Sequence, residues 1–270
     1  MVAYDFEYDG KTLKELGYII CTFDKSGNSN TVSNGSVISF NTVSMFEGQR
    51  FDKVSSKYES TLSNTFGIIK FSGCNGGNDD KEMSLDEQRF MMKWLNRKSY
   101  HKLTFIDETG DYMKVHYNAS FNVSRVESGG RVIGMELTVN TDRPFAYGDE
   151  VENIYEGSQA NWTFSHDDLS DELGFLYPKV KFTASSAGTL TIYNAKEDRT
   201  TKINNVTSGE VITMEYPMIT SSNNSHAIQN DFNWNFFRLS EDFESTLNEI
   251  TVSLPGTFKM SYTPIVKIGL

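Results

Sequence analysis

The feature that most constrains this chain is a hydrophobic period of two. The run Val37-Ile38-Ser39-Phe40-Asn41-Thr42-Val43 mixes β-branched and aromatic residues between Gly-rich and Ser-rich flanks. Similar short runs follow at Thr65–Phe71, Tyr112–Tyr117 and Met135–Val139. Alternation at this period puts one face of a strand on a core and the other in solvent. Turn signals lie between the runs, at Asp9-Gly10, Asn34-Gly35, Thr109-Gly110-Asp111 and Ser128-Gly129-Gly130. That spacing predicts hairpins. The chain is read as mainly β.

One helix interrupts the pattern, over residues 84–98. Ser84 and Glu87 have the spacing of a capping box, in which each side chain satisfies the other's exposed backbone donor. Asp86 and Glu87 begin the helix and Arg97 and Lys98 end it, as the helix dipole favours. Phe90, Met91, Trp94 and Leu95 fall on one face, which predicts a helix packed across a sheet. The 270 residues suit two domains. Pro144 follows a strand and biases Arg143 away from helical geometry, placing the boundary at 1–148 and 149–270. The second part carries paired runs at 179–184 and 189–194, at 202–206 and 210–214, and at 248–254 and 258–263. These predict an antiparallel sandwich.

Composition then narrows the function. The net charge is −11, with 17 basic and 19 acidic residues through Gly148 and 8 and 17 beyond it. So acidic a second half argues against a phosphate-binding surface. No apolar run is long enough for a membrane helix, and the first residues lack the pattern of a secretory signal. Cys21 and Cys74 have no metal-type or redox spacing and read as reduced thiols. With no secretory signal, sequons such as Asn118-Ala119-Ser120 read as chance.

Catalytic signatures are missing from the sequence. It has no nucleophile elbow, phosphate loop or H-E-x-x-H zinc helix. His101, His116, His166 and His226 are far apart, and His116 reads as a half-buried sheet residue. The acidic clusters 78–82 and 166–172 do not fit a calcium loop and read as solvated segments. No catalytic residue, metal ligand or cofactor is expected. A glycosidase needs only two carboxylates, and nothing here selects a pair.

The order of elements resembles the distal tail (Dit) protein family of long-tailed phages. The resemblance rests on Tyr4–Gly10 followed by Leu16–Ile19, the helix with the run Leu103–Asp107 after it, and the closing phrase Asp142–Tyr147. It continues in Val206–Thr213, Asn233-Trp234-Asn235-Phe236-Phe237-Arg238-Leu239 and Phe258–Tyr262. Two segments, 26–36 and 73–80, are not family signatures and read as local insertions. The resemblance implies a β-barrel-like belt domain followed by a galectin-like sandwich.

It also implies a structural role in the virion. Such proteins form a baseplate hub, a hexameric ring with a central channel through which DNA passes without specific recognition. The implied partners are other copies of the chain, tail tube protein, a tail-tip protein and receptor-binding or accessory baseplate proteins. A ring uses two different faces of each subunit, and pairing sheet edges with a neighbour removes exposed edges. Val37, Phe40, Ile68 and Ile69 are the candidate ring-interface residues on that argument. Three rival readings compete with the hub. A saccharide-binding module would use Trp162 and Trp234 for stacking, although Trp234 is expected to pack the sandwich interior. The others are a tail-associated wall hydrolase and a different tail component, such as tube protein.

Overall fold

The computed structural model describes residues 3–21, 23, 35–45, 50–71 and 82–270. Cys74, residues 26–34 of the 26–36 segment, all of the 73–80 segment, and all of the 78–82 cluster except Glu82 lie outside them. The chain forms two compact units, Met1–Tyr147 with Lys267–Leu270, and Gly148–Val266. The last four residues, expected in the second domain, therefore belong to the first. There Tyr117 donates a 2.7 Å hydrogen bond to the Gly269 carbonyl.

The first unit contains β1 (Asp5–Tyr8), β2 (Lys11–Thr12), β3 (Tyr18–Cys21), β4 (Ile38–Met45), β5 (Arg50–Tyr58) and β6 (Ser63–Lys70). It continues with α1 (Leu85–Leu95), β7 (His101–Ile106), β8 (Tyr117–Ser128), β9 (Arg131–Thr141) and β10 (Ala146–Tyr147). Seven strands make one sheet in the order β2-β1-β7-β8-β9-β6-β3. The predicted turns shape it. Asp9 and Gly10 have φ of 52° and 74°, and Gly129 and Gly130 have 60° and 77°. Positive φ at both central residues is what a two-residue hairpin requires.

This sheet is rolled. In a flat sheet β1 and β6, four strands apart, would lie about 19 Å from one another. Yet the rings of Phe6 and Phe66 are 5.9 Å apart. Phe6 also stacks on Trp94 at 5.8 Å and on Phe121 at 5.7 Å. The helix closes this core. Ser84 and Glu87 form the capping box, and Met91, Trp94 and Leu95 are buried. The Trp94 indole donates to the Tyr8 carbonyl at 3.1 Å. Phe90 departs from the expected stripe and is 43% exposed. At about 100° per residue it sits on the margin of the buried face. Arg97 and Lys98 lie beyond the last turn, and the Arg97 side chain donates back to the Trp94 carbonyl.

Another expectation fails at Tyr112–Tyr117. The segment forms only single bridges, Ile106 with Tyr112 and His116 with Tyr147, and β8 begins at Tyr117. Met113 N–H bonds the Phe105 carbonyl while His116 N–H bonds that of Tyr147. Its donors are thus satisfied by different partners rather than along one ladder.

The second unit is an antiparallel sandwich. It runs β11 (Val151–Gly157), β12 (Trp162–Asp167), β13 (Gly174–Leu176), β14 (Lys179–Ala184), β15 (Gly188–Asn194), β16 (Arg199–Val206), β17 (Val211–Glu215) and β18 (Met218–Ser221). After α2 (Ile228–Asp231) come β19 (Leu239–Glu241), β20 (Leu247–Val252), β21 (Gly256–Tyr262) and β22 (Ile265–Val266). One sheet has the order β11-β21-β14-β17-β18 and the other β12-β20-β15-β16. Alternate residues point inward: Val180 and Phe182 from β14, Leu190 and Ile192 from β15, Ile250 and Val252 from β20. The short helix α2 had no signal in the sequence.

A buried polar knot ties the β16–β17 turn to the loop after β18. The Glu210 carboxylate accepts from Thr207 N and Oγ1 at 2.8 and 2.9 Å, from Ser221 Oγ at 2.5 Å, and pairs with His226 Nδ1. Burial alone would raise this carboxyl, but these partners outweigh it and hold it down at about 2. A depressed carboxylate stabilises the fold fully above the unfolded value of 4.5, and less as pH falls toward 2. Glu210→Gln is therefore expected to destabilise this unit by about 3 kcal/mol at neutral pH. In urea melts the gap between variant and wild type should shrink as pH falls from 7 to 3.

Candidate assembly surface

β4 and β5 form a two-stranded sheet of their own, joined to no other strand among the described residues. The register runs from Ile38 opposite Tyr58 to Met45 opposite Arg50, with a bulge that leaves Val54 unpaired. Directly opposed residues share a face. Ile38, Phe40 and Phe51 therefore lie on one face with Lys53, while Val43 and Met45 lie on the other. Both faces are uncovered, with Phe40 at 58%, Phe51 at 64% and Val54 at 68% exposure. Its root is anchored where Tyr58 meets Phe145 edge to face at 5.0 Å, and Glu59 N–H closes the hairpin onto the Val37 carbonyl. An isolated two-stranded hairpin is at best marginally stable in water. Its uncovered apolar residues make it a candidate assembly surface.

The four expected interface residues separate accordingly. Val37 and Phe40 are exposed on and beside β4. Ile68 is fully buried, and Ile69 is half-buried. Their strand, β6, is paired on both sides by β9 and β3, so it offers no free edge. Ile68 is a core residue, because the rolled sheet turns its side of β6 inward. The sequence reading missed Phe51 and Val54. Polar neighbours hide any alternation in Arg50–Tyr58, and only the β-forming types at 51, 54 and 58 hint at a strand.

The tryptophans separate too. Trp162 is half-buried against the sandwich core, its indole donating to the Leu254 carbonyl at 2.8 Å. Trp234 does not pack the interior, as expected, but is 57% exposed, and Phe236 and Phe237 are buried instead. Its φ of 59° turns the chain so that the indole points away from the core. Asn233 holds that turn, its side-chain oxygen accepting from Lys202 N and Asn235 N.

The histidines are dispersed. His101 lies beside Asp9, and His116 is half-buried and stacks on Tyr147. His166 sits between the Tyr155 and Tyr262 hydroxyls, with its pKa lowered by burial. Asp168, expected in a solvated segment, is buried, and its carboxyl is raised by that burial. Among the described residues no three His, Cys, Asp or Glu are placed to hold a metal. Cys21 is half-buried, and burial pushes its thiol up.

Residues 1–143 match the family of phage tail protein N-terminal domains, and residues 145–262 match the family of phage tail C-terminal domains. The chain is a phage tail protein. No curated protein matches the sequence. The fold is similar to the crystal structure of the SPP1 Dit protein (gp 19.1), a hub of the adsorption apparatus in phages that infect Gram-positive bacteria. That similarity has a TM-score of 0.65 at 13% identity, over 97% of this chain and 99% of the other. The distal-tail resemblance read from the sequence is met by this fold.

Two concave surfaces accompany the hairpin in the first unit of this tail protein. A groove of 690 Å³ along α1 is lined by Leu85, Phe90 and Met92 among Arg89, Lys93, Arg125 and Asp86. A cleft of 370 Å³ is lined by Tyr4, Ile19, Phe71, Ile106 and Tyr112 among Asp5, Asp107, Glu108 and Lys14. The Tyr112 hydroxyl is held above its usual range by a hydrogen bond to Glu7 and by the negative field of Glu7, Glu15 and Asp5. Phe40→Glu should leave protomer stability within about 0.5 kcal/mol of wild type, as surface changes do. Ile68→Glu should cost about 4 kcal/mol or more, because it buries an unpaired charge. Guanidinium melts of the two variants separate assembly surface from core.

Proposed function

We propose that this chain is the ring-forming hub subunit at the distal end of the tail. It joins the tail tube to the tip, leaves a central channel for DNA, and holds receptor-binding or accessory proteins through its second unit. The hairpin β4–β5 carries this reading, since it projects apolar side chains that the protomer itself leaves uncovered. The division into a first unit with assembly surfaces and a separate sandwich fits subunits that join through one module and present the other. Nothing in this role requires chemistry, and the reading is of a non-enzymatic virion protein made in the host cytoplasm.

Sedimentation and negative-stain microscopy of the purified chain test the proposal. A closed particle of six copies is the expected result. Open filaments would point to tube protein instead, and turnover of cell-wall polymer would point to a hydrolase.

A second reading draws on the exposed Tyr216 and Trp234 of the sandwich, joined through half-buried Tyr177 and buried Phe236. Tyr177 and Tyr216 stack at 4.4 Å, Tyr216 meets Phe236 at 5.3 Å, and Phe236 meets Trp234 at 6.5 Å. The exposed Trp234 ring between Asn233 and Asn235 suits stacking on a saccharide. Glycan-array binding by the full chain that Trp234→Ala removes would establish it, and an array without signal would dismiss it.

A further inference from the structure

Two loops of the sandwich form a closed frame. β12 pairs with β20 as far as Asp167 opposite Leu247, and β13 pairs with β19 from Gly174 opposite Glu241. Between these pairings the chain runs as two loops, 168–173 and 242–246. Asp168 N–H bonds the Thr246 carbonyl at 3.1 Å, and Thr246 Oγ1 donates to Asp167 at 3.2 Å. The second loop folds on the Asp242 carboxylate, which accepts from the Glu244 and Ser245 N–H groups and leaves Phe243 at the tip.

The first loop is inside out. Asp168 and Ser170 are buried, whereas Leu169 and Leu173 are 59% and 49% exposed. The Asp168 carboxylate accepts from Ser170 N–H and from the Tyr262 hydroxyl, and that hydroxyl accepts from Leu169 N–H. Asp171 N–H bonds the Ile265 carbonyl, and Ile265 N–H bonds Ser170 Oγ. Burying a carboxylate is costly even when it is hydrogen-bonded, and folding alone would favour the leucines inside. Polar groups hold this loop from within and leave the leucines out. Phe175, Phe243 and Leu247 are exposed beside them. Residues 167–175 and 239–247 thus hold five of the nine exposed large apolar side chains of the second unit. Grouped exposure of this kind marks an interaction surface.

Charge selects the occupant. Residues 167–175 carry four carboxylates and residues 239–247 carry three, with no Lys or Arg in either stretch. Lys196 reaches Asp242 at 3.4 Å, and Arg238, stacked on the Phe175 ring, is matched by Glu197. An acidic rim repels anionic lipid headgroups, nucleic acid and the same face of a second copy, and it steers a basic partner.

We propose that this frame is the docking surface for a basic, amphipathic segment of a neighbouring tail protein. Apolar side chains of that segment cover Leu169, Leu173 and Phe243, while its Lys or Arg side chains meet Asp167 and Glu244 at the rim. This inference rests on the reading that the second unit holds other tail proteins, and it gives that role a place and a chemistry.

Binding of the full chain to short overlapping peptides that cover the other proteins of the same tail tests it. Peptides with net positive charge and interspersed apolar residues should bind wild type. Leu169→Ser combined with Phe243→Ser should weaken them at least about tenfold. Glu244→Lys should weaken the same peptides about threefold and flatten the fall of affinity with salt. All three substitutions are of exposed residues, so urea melts of the variants should match wild type. Peptides that bind wild type and variants equally place the contact elsewhere on the chain, which overturns the frame and leaves the presenting role standing. Binding confined to neutral or acidic peptides also overturns the proposal. Weakened self-association of the double variant, with no peptide affected, would give the frame to a second copy instead. If no tail peptide binds the chain, the proposal and the presenting role fall together.

Discussion

The first unit depends on the contact of Phe6 with Trp94 and Phe66. It draws β1 toward β6 across what would otherwise be the width of a four-strand span, and so rolls the sheet around α1. Burying such side chains stabilises the fold by about 2–3 kcal/mol each. The same rolling explains the rest of the surface. It buries Ile68, it brings Tyr4 and Ile19 to one cleft, and it leaves β4 and β5 with no place in the sheet. Core packing and the candidate assembly surface are two results of one curvature.

Strand and helix types were largely legible because they depend on local chemistry. Asp9-Gly10 and Gly129-Gly130 demanded positive φ, and Ser84 with Glu87 fixed the start of α1. What failed depended on sheet order. Ile68 and Phe40 sit in runs of similar composition, yet one is buried between β9 and β3 while the other stands on a detached hairpin. Periodicity tells which residues share a face and says nothing of which strand lies at an edge. Asp168 and Trp234 failed for a related reason. A buried carboxylate beside Tyr262 and an indole turned outward by its backbone are set by tertiary neighbours, which a linear pattern does not contain.

The two units also divide the polar work differently. In the sandwich, the buried Glu210 carboxylate gathers four donors. Such knots fix a rigid module suited to presenting a surface. In the first unit the ion pairs of Arg97 with Asp9 and of Lys70 with Glu87 lie at partly exposed positions instead. Steering by exposed charge and closure by apolar cover is a division common to specific protein contacts.

Hydrogen exchange on assembled tails, compared with the isolated chain, tests the central claim most directly. The account predicts that amides of 38–45 and 50–58 exchange quickly in the isolated protein and become strongly protected on assembly. Equal exchange of these strands in both states would show that the hairpin stays uncovered, and would contradict the account.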